Sequence, residues 1–266
     1  MKKRSPLVSV IMNSHNGEKF LRESLNSLFQ QSYNNWELVF FDNKSSDNSL
    51  KILKNYNKKK IRYFYSKKKL KLYDARNQAI KKAKGKFITF LDTDDLWSKK
   101  KLEIQINFFK NNPRYDILYS NYFIKDLNKN LTYKKHSKTL PSGRISQLII
   151  KEYVIAILTV MINKRIIIRN KFNKDYEIIG DFDLFFRLSQ KFKIGCIQKP
   201  LAYYGIHDDN FSKKKGIYIK ELSSWLNKNQ KKLKNRNYDS SRINFLILKL
   251  KVKNLVKRLF NLNLGV

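Results

Sequence analysis

Asp92-Thr93-Asp94-Asp95 places three carboxylates within four residues, and at that spacing each raises the proton affinity of the others unless a cation or hydrogen-bond donors stand among them. If the segment stays extended, the period of two puts Asp92 and Asp94 on one side. Hard oxygen ligands at a strand end suit Mg2+ or Mn2+, which commonly bridges one or two carboxylates to the phosphates of a nucleotide. A capped loop is the other reading, because Ser98 precedes Leu102, Ile104, Ile106 and Phe109 at helical spacing and acidic groups favour a helix N-terminus. A second carboxylate pair, Asp181 and Asp183, falls in the first turn of a helical run ending near Leu188; proton abstraction and dipole compensation are both open there. His207 reads either as a ligand or as a hydrogen-bonded structural residue, and His15 and His136 have no partners at metal-ligand spacing. Neither G-x-x-x-x-G-K-S/T nor G-x-G-x-x-G occurs among the eight glycines, which weakens P-loop and dinucleotide readings.

The elements that must position these groups alternate short apolar runs with helical periodicity, the signature of repeated strand-helix units on a mainly parallel sheet. Leu7 to Met12 is the first strand, followed by a helix carrying Phe20, Leu21, Ser24, Leu25 and Leu28. Glu37 to Phe41 is the second, with Ser45-Ser46-Asp47 capping a helix that carries Leu50, Ile52 and Leu53. Ile61 to Tyr65 leads to a helix from about Asp74 to Ala83, which Gly85 breaks. The strand Phe87 to Leu91 then runs directly into the aspartate cluster. Strand ends at Asn13–Asn16, Asp42-Asn43 and Asp92 are polar, and ligands of open parallel sheets gather at such ends. Lys193 to Ile197 reads as a short buried strand containing the single cysteine, Cys196.

Lys and Arg number 57 against 21 Asp and Glu, a formal charge of +36 on 266 residues, so a solvating acidic protein is excluded. The excess is either the signature of an anionic partner or a Lys-, Asn- and Ile-rich compositional bias. A hydrophobic content of 42% excludes intrinsic disorder. One cysteine excludes an internal disulfide and makes a reducing compartment the default. Lys2-Lys3-Arg4 resembles a signal n-region, but its apolar run is too short. Tyr153 to Ile162, the longest apolar stretch, is far short of the ~20 residues that span a bilayer.

Val8–Gly17, Glu37–Asp47, Asp74-Ala75-Arg76-Asn77 and Phe90–Asp95, taken in order and spacing, resemble the family 2 glycosyltransferases of the GT-A fold. The similarity covers roughly residues 5 to 212. It implies an α/β architecture, a Rossmann-like central mixed sheet flanked by helices. It also implies an inverting enzyme that moves a sugar from a nucleotide diphosphate donor to an acceptor hydroxyl with Mn2+ or Mg2+ as cofactor. On that resemblance Asn13, His15, Asn16, Asp42, Asn43, Arg76, Asp92 and Asp94 bind the nucleotide sugar, with Asp42 and Asn43 at the base and Arg76 facing the pyrophosphate. Asp94, Asp95 and His207 are the implied metal ligands. Asp181 is the implied catalytic base, in a segment similar to the family's E-D-x-D with Gly180 in the acidic position. Asp183 is left to orient the acceptor or pair with a lysine. Three further departures stand out. Asn43 replaces a frequent aspartate, which opens the base to alternatives such as thymine. Lys67–Leu72 replaces a glycine-containing loop, and Gly205 replaces an arginine in the segment Tyr203–Ser212. Trp97 is assigned either to the acceptor cleft or to the core.

This reading divides the chain into a nucleotide-sugar half (1–110), an acceptor half (111–212) and a basic helical tail (213–266). The tail mixes Ile243, Phe245, Leu255, Val256, Leu259 and Phe260 with many lysines. It either lies on an anionic membrane surface or docks on the domain. Expected partners are the donor and a glycan or lipid-linked glycan acceptor of bacterial cell-surface polysaccharide or lipopolysaccharide assembly. The expected location is the cytoplasm, peripheral to the inner membrane. Three competitors are a nucleic-acid binder, argued from charge and aromatics, a glycosidase using an aspartate pair, and a transferase relic. The first leaves the aspartates unexplained, so no nucleic acid is expected.

Overall fold

A computed structural model of the chain describes residues 5–210 and 213–262, with side chains to 253. Lys2–Arg4, Ser212 and the side chains of Leu255, Val256, Leu259 and Phe260 lie outside the described residues. The strands are β1 (Val8–Ser14), β2 (Trp36–Asp42), β3 (Ile61–Tyr65), β4 (Phe87–Phe90), β5 (Leu96–Trp97), β6 (Ile117–Asp126), β7 (Leu131–Lys134), β8 (Met161–Asn163) and β9 (Ile194–Ile206). The helices are α1 (Glu18–Phe29), α2 (Ser49–Leu53), α3 (Leu72–Lys82), α4 (Lys101–Asn111), α5 (Ser146–Lys151), α6 (Lys164–Arg169), α7 (Gly180–Ser189), α8 (Lys215–Asn235) and α9 (Ser241–Leu262).

One sheet runs β3-β2-β1-β4-β8-β6-β9-β5, with β7 paired to β6. The first four strands are parallel, as their alternation with helices predicts. Beyond β4 the sheet is mixed: β8 is antiparallel to both β4 and β6, β9 is parallel to β6, and β5 is antiparallel to β9. Side chains alternate across it. Ile11, Val39 and Phe90 face one core with α3, α7 and α8, while Val10, Leu38 and Phe40 face the other with α1 and α4.

Three local expectations are corrected. β9 is one long strand of 13 residues rather than a short one, and the register shift beside the Asn121–Pro200 pair lets it accommodate a residue without an N–H. Cys196 on it is only partly buried. α3 ends before Gly85, at Lys82, and Ala83 is already extended. Gly85 is instead the point of closest approach to β1, where a Cβ would stand 2.6 Å from the Ser9 backbone nitrogen.

The C-terminal helices dock on the domain. α8 buries Ile219, Leu222, Trp225, Leu226 and Leu233, and α9 buries Ile243 and Ile247 while packing on α8 and α5. Two α8 side chains brace α7 directly. The Glu221 carboxylate accepts from the backbone N–H groups of Glu177, Ile178 and Ile179 at 2.6, 3.0 and 3.1 Å, at the entry to α7. The Trp225 indole, fully buried against Phe182 and Phe186, donates to Asp183 Oδ1 at 3.1 Å. No helix among the described residues is long and apolar enough to cross a membrane. Trp225→Ala removes an aromatic plug as well as an indole N–H. It is expected to cost ~3–5 kcal/mol of stability, read as a fall in denaturant midpoint.

Candidate active site

β1, β2 and β4 end together, and the loops beyond them form one polar edge. The loop after β1 is stitched to the loop after β2. Ser46 N donates to Asn16 Oδ1 at 2.9 Å, Asn16 N to Ser45 Oγ at 3.1 Å, and Glu18 N to Asp47 Oδ2 at 2.9 Å. Asp47 also takes Ser49 N at 3.0 Å, so it alone of the Ser45-Ser46-Asp47 trio accepts from the first residue of α2. Asn16 adopts φ 54°, a left-handed turn that asparagine tolerates. His15 is exposed, with Nδ1 3.0 Å from the Asn43 carbonyl.

Asp42 and Asn43 are buried and engaged. Asp42 accepts from Ser45 N at 2.8 Å and from the Tyr63 hydroxyl at 2.9 Å. The Asn43 amide pairs reciprocally with the Leu70 backbone at 2.8 and 2.9 Å. Asn43 therefore fixes the lysine-rich loop 67–71. Asn13 differs. Its amide nitrogen and oxygen are both buried and have no protein partner, a cost that a bound polar group would remove.

The aspartate cluster is a turn and not an extended strand: Asp95 N donates back to the Asp92 carbonyl at 3.2 Å before β5 begins. The turn sends the three carboxylates to different partners. Asp92 faces α3, where Nη2 of the buried Arg76 reaches both its oxygens at 2.7 and 2.5 Å. Arg76 thus holds a carboxylate instead of presenting a free guanidinium. Asp94 faces the loop after β9; its Oδ2 lies 3.1 Å from His207 Nε2 and accepts from Asn210 Nδ2 at 3.2 Å. Asp95 is closed in, accepting from Gly205 N at 3.1 Å. Gly205 stands where a Cβ would meet the Asp94 carbonyl oxygen at 2.2 Å, so the arginine usual in the family could not occupy this backbone. Burial and neighbouring carboxylates push the Asp94 pKa up, and that of Asp95 much further. The acidic residues do not cap α4, whose N-cap position is Lys100 without a side-chain cap.

Asp181 enters from the other side, on the first turn of α7. It is half-buried in the cleft wall and accepts from Phe182 N at 2.8 Å, while the Tyr73 hydroxyl, which donates to the Ile178 carbonyl at 2.8 Å, lies 3.3 Å from Oδ1. Burial raises its pKa, opposed first by the Arg76 charge and then by hydrogen bonds that include Tyr73. Gly180 is packed on the face of Tyr73, where a Cβ would lie 2.4 Å from the ring, so an acidic side chain has no room there. Asp183 does not face the cleft. Trp225 and the Arg187 guanidinium at 2.9 Å take its oxygens, so it pairs with an arginine rather than a lysine. Trp97 belongs to the core, its indole donating to the Leu158 carbonyl at 3.1 Å.

Sequence reasoning missed Tyr73, Tyr153 and Asn210. Tyr73 adjoins the Asp74-Ala75-Arg76 segment, and its helix begins two residues earlier than the spacing predicts. Asn210 lies inside the quoted 203–212 segment, where its Oδ1 accepts from His207 N at 2.7 Å. Tyr153, beside Asp181, was hidden in an apolar run. No group of three or more His, Cys, Asp or Glu gathers as a ready cation cage among the described residues.

The family model described as "Glycosyl transferase family 2" matches residues 9–189, a stretch that contains the aspartate turn and Asp181 and stops before His207. The chain is 33% identical to the UDP-Glc:alpha-D-GlcNAc-diphosphoundecaprenol beta-1,3-glucosyltransferase WfgD of Escherichia coli, over 72% of this chain and 73% of that one. Among solved structures it is similar to S. aureus TarS 1–349 in complex with UDP-GlcNAc, with a TM-score of 0.61, 21% identity, and coverage of 83% of this chain and 66% of the other. It is also similar to the mannosyltransferase PcManGT from Pyrobaculum calidifontis in complex with GDP-Man and Mn2+, with a TM-score of 0.63, 14% identity, and coverage of 83% and 62%. The chain spans less than two thirds of each of these two solved chains, and at such identities the likeness establishes the GT-A fold alone.

Asp95 yields a stability prediction. Its folded pKa is raised above the ordinary carboxylate value, so the native protein holds a proton that the unfolded chain releases. Its contribution is complete below about pH 4 and declines as pH rises through the folded pKa. Asp95→Asn keeps the acceptor for Gly205 N without the charge. Denaturant titrations of metal-free protein should show the variant more stable than wild type at pH 7 and equal to it near pH 4.

Proposed function

The chain belongs to glycosyl transferase family 2, and from that premise we propose that it is an inverting, metal-dependent transferase. It moves a sugar from a nucleoside diphosphate sugar to a hydroxyl of a glycan or lipid-linked glycan in the assembly of a bacterial surface polysaccharide. One observation carries this reading. Arg76 ion-pairs with Asp92 on the donor side, and Tyr73 on the same helix lies 3.3 Å from the Asp181 carboxylate, so α3 links a nucleotide edge to a proton acceptor.

Asp181 takes the proton from the acceptor hydroxyl as that oxygen attacks the anomeric carbon. The new C–O bond forms on the face opposite the departing nucleoside diphosphate, and the configuration inverts. The Phe182 N–H holds the carboxylate, and the Tyr73 hydroxyl, shared with the Ile178 carbonyl, stands beside it. On the donor side the unpartnered Asn13 amide offers both a donor and an acceptor to the nucleotide. Asp94 and His207, 3.1 Å apart, are the pair that would hold Mg2+ or Mn2+, which supplies positive charge to the leaving diphosphate when bound. Two protein ligands fit an ion that completes its shell with phosphate and water rather than in an all-protein cage. Asp95, satisfied by Gly205, sets the turn instead. The Mn2+ in PcManGT and the lipid-diphosphate acceptor in the name of WfgD support the metal and the acceptor class.

A thermal-shift series with nucleotide sugars, with and without Mn2+, tests the reading. One donor should stabilise the protein in a metal-dependent manner, and Asp94→Ala should abolish the metal-dependent increment. No shift with any donor, together with salt-dependent RNA binding, would overturn it.

Asp181→Asn should keep donor binding and lower kcat by ~10²–10⁴-fold. Because burial raises the Asp181 pKa, the acid limb of kcat/KM should lie above about pH 4. Tyr73→Phe removes a hydrogen bond that favours the ionised form, so it should move that limb to higher pH in a pH-rate profile.

A further inference from the structure

Asp181 closes the inner end of a cleft of about 740 Å³ that runs between the 149–158 segment and the helices α8 and α9. Its walls are strongly apolar, Ile149, Val154 and Ile157 on one side and Leu222, Ile243 and Leu246 on the other. Tyr122, Tyr204 and Tyr218 also line it, so a sugar ring inside would meet apolar and aromatic faces with few polar groups. Polar groups converge in two places. At the inner end stand Asp181 and Tyr153, whose hydroxyl acts on the Asp181 carboxylate. At the rim stand Lys135, Lys151, Arg242 and Lys249 against one acid, Glu152, which faces Arg242 at 3.8 Å. Outward from the cleft, the face of α9 continues through the exposed Phe245, Leu248 and Val252.

A ligand that matches this layout presents a hydroxyl at one end, negative charge at the basic rim and a long apolar chain beyond. We infer that the cleft and the exposed face of α9 beyond its rim together bind a lipid diphosphate-linked acceptor, with its lipid portion on α9. The apolar chain lies along α9, the diphosphate meets the Lys151, Arg242 and Lys249 cations, and the sugar hydroxyl is delivered to Asp181. The inference rests on the transferase reading, because the role of Asp181 as base makes the inner end the reacting end. A bilayer surface alone would account for the exposed face of α9, but not for a cavity lined by the Asp181 carboxylate.

The probe is a fluorescent farnesyl diphosphate analogue, used below its micellar concentration and without any sugar. Full-length wild type should bind it saturably. Leu246→Glu and Lys151→Glu, both at the outer part of the cleft, should each weaken binding at least tenfold, and Leu246→Gln should weaken it less than Leu246→Glu. The nucleotide-sugar thermal shift, read in the same samples, should be unchanged in all three. A failure of the transferase reading thus appears as a missing donor shift, and a failure of the lipid site as missing lipid binding. Absence of saturable binding, or binding that all three variants leave intact, would overturn the inference. So would binding of the protein to anionic phospholipid vesicles alone, with no affinity for the monomeric diphosphate.

Discussion

Three carboxylates gathered at the end of β4 are the constraint around which the site is built. Buried like charges at this spacing are unfavourable unless each finds its own compensation, and the turn at Asp92–Asp95 solves the problem by sending them apart. Asp92 goes to a buried guanidinium on α3, Asp94 to an imidazole and an amide after β9, and Asp95 to a backbone N–H of β9. Each partner comes from an element distant in sequence. The packing of α3 and the full length of β9 are therefore conditions for the cluster to exist, and Gly205 is glycine because the Asp94 backbone passes against it.

The helix that carries Asp181, α7, is held by similar means. Tyr73, one turn before Arg76 on α3, reaches Asp181, and its ring occupies the space that any side chain at position 180 would need. From the opposite side α8 closes the three N–H groups ahead of α7 with Glu221 and fixes Asp183 through Trp225. The C-terminal helices are thus part of the site's support. The second acidic residue on α7 is spent on that support, which explains how two carboxylates two positions apart come to have different roles.

Much of this was legible in the sequence where local pattern decides the outcome. The β-branched runs and apolar spacing marked β1 to β4 and α1 to α4 to within a few residues, because alternate burial on a two-faced sheet leaves a direct trace in residue order. Polar strand ends and aspartate spacing marked the site edge. What could not be read was set by long-range partners. Nothing local to Asn43 says that its amide will pair with Leu70, and nothing local to Arg76 says that it will be buried on Asp92. The continuity of β9 past Pro200 depends on a register shift against β6. Tyr153 looked like one more apolar residue because its hydroxyl matters only once α7 is packed beside it.

The two sides of Asp181 are different media. Toward α3 it sees Arg76 and Tyr73, whose charge and hydroxyl favour ionisation. Toward α8 and α9 it sees an apolar cleft, which disfavours it. The carboxylate is held between these opposing influences, and its raised proton affinity is their balance. On the proposed role of Asp181 as the base, this asymmetry has a chemical use. The charge stays tethered to the donor side by fixed donors while the acceptor side excludes water that would otherwise compete for the same proton and the same anomeric carbon. On that proposal an apolar acceptor channel would match lipid-bearing substrates and shield the donor from hydrolysis, so one packing arrangement of α8 and α9 over α7 would serve both ends.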